Sequence, residues 1–191
     1  MPRYTPLLIT LLIAGSLAPP ARAGGSPRVG EAAPTFEAID DRGNAFESAD
    51  LQGRKKLVIF FYPGDMTQGC THQAAGYRDV LSRLWALDTV VVGISGDTAE
   101  NHRIFRRVND INFTLIPDPE GKIAELFGVP FGKGGEVSCT LGGKEETFHR
   151  AGTASRRTFV IDENGIILHA DEDVDPAEDG KKVLDLLRSQ P

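Results

Sequence analysis

The run Leu57-Val-Ile-Phe-Phe-Tyr62 is apolar at every position, so neither of its faces can look onto water. A half-buried strand alternates apolar and polar residues; a run without alternation needs cover on both sides. Leu57 to Phe61 therefore reads as a central strand held between two layers. Pro63 follows, has no N–H to give a sheet, and helps end the strand. From near Thr71 onward, Ala74, Tyr77, Leu81 and Leu84 recur at helical spacing while Arg78 and Arg83 turn away. Strand, short junction and helix together open an α/β unit.

The rest of the chain keeps that alternation. Thr35–Ile39 and Ala45-Phe46 flank the turn-rich Asp40-Asp-Arg-Gly-Asn44, which predicts an N-terminal β-hairpin. Thr89–Ser95 reads as a second buried strand. Asp97-Thr-Ala-Glu100 has the form of a capping box, so a helix is expected to about Val108. Thr114–Ile116 is a short strand, Asp118-Pro119 is expected to open a helix, and Gly128 to close it. Arg157–Ile161 and Ile166–His169 read as a hairpin around Glu163-Asn-Gly165. Asp175-Pro176 is expected to start the last helix, with Val183, Leu184, Leu186 and Leu187 inward. This order suits a thioredoxin-like α/β sandwich with a central mixed β-sheet flanked by helices. Phe131 to Ser155, with glycines at 132, 134, 135, 142, 143 and 152, reads as a long loop. Its glycine spacing matches neither the Walker nor the dinucleotide pattern.

Residues 1–23 read as a cleavable signal peptide: Arg3, an apolar core from Leu7 to Leu17, and the small-residue site Ala21-Arg-Ala23. The apolar core is short of the roughly 20 residues a membrane span needs. Cleavage after Ala23 would leave 24–191 as one domain, periplasmic or secreted, with no membrane attachment. The net charge of −6 argues against nucleic acid or an anionic membrane as the main partner. It does not hinder a small uncharged substrate.

Cys70 sits at the strand-to-helix junction, where a helix presents unpaired N–H groups and the positive end of its dipole. That position favours the thiolate, which is the nucleophilic form. Thr67, three residues earlier, is placed to cap the helix with its hydroxyl toward the sulfur. A buried structural cysteine is the competing reading. Arg156 or Arg157 can supply a cation, but strand alternation forbids both, and residue physics alone does not choose between them.

Pro63-x-x-x-Thr67-x-x-Cys70 is similar to the active-site signature of the peroxiredoxins. The surrounding Phe61-Tyr-Pro and Thr67-Gln-Gly-Cys-Thr-His-Gln73-Ala-Ala-Gly-Tyr-Arg-Asp79 resemble the Q-type, or bacterioferritin-comigratory, branch most. The likeness runs from about Gly30 to the C-terminus, through Val91–Ser95, Asn112–Leu115 and Arg156–Asp162. It implies a thiol-dependent peroxidase that reduces hydrogen peroxide and organic hydroperoxides through a Cys70 sulfenic acid, without a cofactor. The family pattern selects Arg156 as the guanidinium, with Thr67 and the Cys70 N–H as further donors. Pro63 would then shield the sulfur and Gln73 support the site, unless Gln73 is simply an exposed helix residue. An external thiol, small or thioredoxin-like, would complete the cycle, in a monomer or weak homodimer. Many Q-type members place a resolving cysteine five residues after the first, where this chain has Ala75.

Cys139 is left with three readings: resolving cysteine, partner of Cys70 in a permanent disulfide, or uninvolved thiol. His72 follows Cys70 but faces elsewhere on a helix, and His102, His149 and His169 share no metal-ligand spacing. Trp85 is expected to pack. Two competing functions carry less support. A thiol–disulfide exchanger wants Cys-x-x-Cys, and the third position here is Gln73. A non-catalytic thioredoxin-like binding module would keep the signature without turnover.

Overall fold

The computed structural model describes residues 25–190, so the signal peptide expected at 1–23 lies outside the described residues. Strands β1 (Glu37–Ile39) and β2 (Ala45–Glu47) form the expected antiparallel N-terminal hairpin. The Asp40 carboxylate holds its turn by accepting the amides of Arg42 and Asn44. Strand β3 (Lys56–Phe61) leads into helix α1 (Gln68–Trp85), which starts three residues before the expected Thr71. Then come β4 (Thr89–Ser95), α2 (Ala99–Val108), β5 (Thr114–Pro117) and α3 (Lys122–Leu126). The chain closes with β6 (Phe131–Leu141), β7 (Lys144–Ala154), β8 (Arg157–Ile161), β9 (Ile167–Asp171) and α4 (Asp179–Ser189).

The central sheet has the order β5-β4-β3-β8-β9, with β3 in the middle. β4 runs parallel to β3 and β5, whereas β8 is antiparallel to both β3 and β9. The apolar run divides by alternation. Val58 and Phe60 enter one core with Tyr77, Leu81 and Leu84 of α1 and Val183 and Leu187 of α4. Leu57, Ile59 and Phe61 enter the other with Phe36, Phe127 and Phe159. Cover on both faces is why Leu57 to Phe61 carry no polar position.

Several expectations need correction. Residues 131–155 do not form a loop but an 11-residue by 11-residue antiparallel ribbon, β6–β7. Its tip, Gly142–Gly143, has φ of 56° and 83°, the left-handed pair that a tight hairpin turn requires. Gly134 and Gly152 mark close approach rather than irregularity: a Cβ at Gly134 would strike the Arg150 carbonyl, and one at Gly152 the Phe131 ring. The helix expected at Asp118-Pro119 begins at Lys122, because Asp118 caps from outside, its Oδ2 accepting Ile123 N and Ala124 N. The last helix likewise starts at Asp179, after a turn in which Asp175 accepts Ala177 N. Trp85 does not pack; it is 56% exposed.

Candidate active site

Cys70 is the third residue of α1, and only 1% of it reaches solvent. The junction before it, Tyr62 to Thr67, carries the chain from the end of β3 into α1. Thr67 stands at the N-cap position with extended dihedrals, and its carbonyl accepts Thr71 N at 2.9 Å. Its side chain makes no capping bond. The hydroxyl instead donates to the Gly64 carbonyl at 3.1 Å, tying the junction to itself. Thr67 therefore starts the helix through its backbone, and its hydroxyl braces the loop rather than the sulfur.

Arg156 reaches the sulfur. Its Nη2 lies 3.4 Å from Cys70 Sγ, and its Nη1 donates to Gln73 Oε1. Arg157 points the opposite way and pairs with Glu172, as strand alternation demands. Gly69 leaves room for this: a Cβ there would sit 3.3 Å from Arg156 Nη2.

Gln73 is fully buried, and its Nε2 donates to Asp179 Oδ2 at 2.7 Å. The same oxygen accepts Tyr77 Oη at 2.9 Å and Thr158 Oγ1 at 2.8 Å. The chain Asp179–Gln73–Arg156–Cys70 thus joins α4, α1 and the start of β8. It depends on a close crossing of α1 and α4, where a Cβ at Gly180 would come within 2.8 Å of Gly76. Burial pushes the Asp179 carboxyl above the usual carboxylate range, and the hydrogen bonds from Gln73, Thr158 and Tyr77 pull it part of the way back. Asp179 was invisible in the sequence, where it is one acid among several before a helix. Tyr77 showed only as an apolar helix position, and Thr158 as one strand residue.

A second buried network lies under the junction. Asp65 Oδ1 accepts Tyr62 Oη at 2.9 Å, and Asp65 Oδ2 pairs with His102 Nδ1 at 2.8 Å. Asp97 Oδ2 accepts Asp65 N at 2.9 Å and Ser95 Oγ at 2.8 Å. Burial alone would lower the His102 pKa, but the Asp65 carboxylate outweighs it and holds the imidazole above its ordinary value. Burial in turn raises Asp65, with His102 opposing.

Pro63 is half-buried and lines an open groove of about 490 Å³ with Pro130, Phe131, Lys133 and Ser155. Cys139 stands on β6 opposite Glu146 and, like Cys70, is a free thiol. It lies four ladder positions toward the ribbon tip from the Gly135–Arg150 pair, roughly 14 Å along the strand. Burial, then the Glu146 carboxylate, push its thiol up. His72 is exposed, and among the described residues no three His, Cys, Asp or Glu side chains cluster as a metal site. Nor, among them, is any helix long and apolar enough to cross a membrane.

A thioredoxin-like sheet with a lone buried cysteine at a helix start, under a guanidinium, is the arrangement of the peroxiredoxin class. The AhpC/TSA family matches residues 29–170. A bcp peroxiredoxin sequence of Coxiella burnetii is 38% identical over 142 residues, 74% of this chain and 86% of that one. A bcp sequence of Haemophilus influenzae is 35% identical over 161 residues, 84% and 96% of the two chains. The crystal structure of peroxidoxin BcpB from Mycobacterium tuberculosis superposes with a TM-score of 0.71 at 28% identity, covering 86% of this chain and 99% of that one. The chain belongs to the AhpC/TSA family, with its relatives in the Bcp and Q-type peroxiredoxins.

Proposed function

We propose that this chain is a thiol-dependent peroxidase in which Cys70 is the nucleophile and Arg156 the group that activates it. The observation that carries the reading is the 3.4 Å approach of Arg156 Nη2 to a cysteine sulfur buried in the first turn of α1. The Cys70 thiolate attacks the terminal oxygen of a hydroperoxide, a sulfur–oxygen bond forms, and the oxygen–oxygen bond breaks. Cys70 leaves as sulfenic acid, and the other oxygen departs as hydroxide or alkoxide and takes a proton from water. Negative charge spreads along S–O–O in the transition state, so fixed donors there stabilise it more than the ground state. Arg156 presents a rigid planar fork for that purpose, and the free N–H groups of the first helical turn add to it. The Pro63 ring shields the sulfur side, and the groove beside it offers room for the carbon chain of an organic hydroperoxide.

An external thiol resolves the sulfenic acid: it displaces water to give a mixed disulfide, and a second thiol releases Cys70 and leaves as disulfide. Ala75 at the usual resolving position and the distant ribbon position of Cys139 support this one-cysteine route. The purified mature protein should consume hydrogen peroxide in the presence of a thiol reductant, and Cys70→Ser should abolish it. Intact mass after one equivalent of peroxide should show sulfenic acid on Cys70. An intramolecular Cys70–Cys139 disulfide would instead assign resolution to Cys139, and insulin-disulfide reduction without peroxide turnover would favour the exchange reading.

We further infer export to the periplasm or cell exterior as a monomer or weak homodimer, on the strength of residues 1–23 and the single-domain core. Fractionation of cells with residues 1–23 deleted, and sedimentation of the mature protein, test these two points.

A further inference from the structure

The junction that delivers Cys70 is an irregular backbone segment whose polar groups need partners of their own. Three consecutive carbonyls, Pro63, Gly64 and Asp65, face inward. Thr67 Oγ1 satisfies the middle one. The other two are both taken by one side chain from a distant part of the sequence. Arg150 Nη1 donates to Pro63 O at 3.3 Å, and Arg150 Nη2 to Asp65 O at 3.2 Å. Arg150 sits on β7 of the ribbon, and its side chain is only 7% exposed.

We propose that Arg150 is a positioning residue for peroxide reduction, and that through it the β6–β7 ribbon is a working part of the site. Three observations converge on this. Gly64 has no side chain where the guanidinium lies, and a Cβ there would fall on Arg150 Nη1 and Cζ. The charge of Arg150 is matched: its Nε lies 3.6 Å from Asp97 Oδ1, and Asp97 also holds Asp65 N. With His102 against Asp65, two buried carboxylates face two buried basic groups, so loss of Arg150 unbalances the cluster as well as freeing two carbonyls. The ribbon is also seated independently, by Asn101 Nδ2 donating to His149 O at 2.9 Å, by the Gly152 carbonyl close against Gly96 and by the Phe131 ring close against Gly121.

The inference rests on Cys70 being the peroxide-reactive thiol. Arg150→Met, Arg150→Lys and Gly64→Ala, all in a Cys139→Ser background, separate it from a merely structural role. Two rates are read on Cys70 by quenched intact mass: oxidation by hydrogen peroxide, which needs the donors aligned, and alkylation by iodoacetamide, which needs only an accessible thiolate. Arg150→Met should slow oxidation about 10–100-fold while alkylation stays within about threefold, since a displacement near 1 Å can cost two orders of magnitude. Gly64→Ala should fall the same way, because the new methyl displaces the guanidinium. Arg150→Lys should recover only part of the rate, since a single ammonium cannot serve both carbonyls. Should Arg150→Met fail to fold, the lysine and alanine variants carry the same comparison. Oxidation within threefold of the parent, or equal losses in both rates, would overturn the proposal. A parent that reacts with peroxide no faster than free cysteine would remove the Cys70 reading itself, and this inference with it.

Discussion

The two buried networks that flank Cys70 are built from different chemistry. On the α4 side, one carboxylate oxygen of Asp179 gathers three neutral donors, and its influence passes through Gln73 to the guanidinium on the sulfur. On the ribbon side, Asp65 and Asp97 are set against His102 and Arg150, and the bonds end on backbone groups of the junction. The first network places a charge, the second places a loop. Catalysis of this kind needs both, because a fixed donor is useful only if the attacking atom is held in line with it.

The comparison breaks most visibly at its chemical end. Arg156→Lys should slow oxidation of Cys70 by hydrogen peroxide about 100-fold, because a point charge cannot donate to sulfur and Gln73 together. Arg157→Lys should stay within about threefold, its partner being Glu172 on the far side of β8. Stopped-flow oxidation kinetics on both variants decide between them, and equal rates would reverse the assignment. One step back, Asp179→Ala should slow the same reaction by about tenfold as Gln73 loses its anchor. Asp179→Asn keeps an acceptor and should lose less. The raised Asp179 pKa also fixes a sign. The folded state holds that proton more tightly than the unfolded chain, so the protonated form favours folding. That contribution is complete below the unfolded value near 3.8 and is lost as pH climbs through the raised folded value. At neutral pH, Asp179→Asn should therefore melt no lower than the native protein.

On the ribbon side the matching test is a pH profile of stability. His102 has its folded pKa raised above 6.5, so its contribution is complete below about pH 6.5 and disappears as pH rises through the folded value. Urea unfolding of the native protein should show stability falling across that alkaline window, and His102→Gln should flatten the fall. The smallest effect belongs to the ribbon's outer half. Cys139→Ser should leave the oxidation rate of Cys70 unchanged, as followed by intact mass.

What the sequence revealed follows the same division. Leu57–Phe61 announced a doubly covered strand, and the helical spacing of Ala74, Tyr77, Leu81 and Leu84 announced α1, because burial writes itself into apolar periodicity. Pro63, Thr67 and Cys70 stood out as a local signature, whereas Arg156 was singled out from Arg157 by the family pattern alone. Asp179 and Arg150 did not stand out, since each meets its partners far along the chain and no local pattern marks a long-range hydrogen bond. The sequence places Asp97 first in a capping box, but the N-cap is Thr98, whose hydroxyl accepts Asn101 N, and the Asp97 carboxylate turns instead to Asp65 N and Ser95 Oγ. The ribbon was misread for a related reason. Gly134, Gly152 and the Gly142–Gly143 tip carry a turn and close backbone contacts, yet in sequence they look like the composition of a loop.

The central claim is that one buried sulfur is held by Arg156 in a geometry made for peroxide. The direct test is the second-order rate of Cys70 oxidation by hydrogen peroxide in the reduced Cys139→Ser protein, measured beside free cysteine at the same pH. The account predicts a rate higher by orders of magnitude, most of it lost in Arg156→Lys. A rate equal to that of free cysteine, or one indifferent to Arg156, would contradict it.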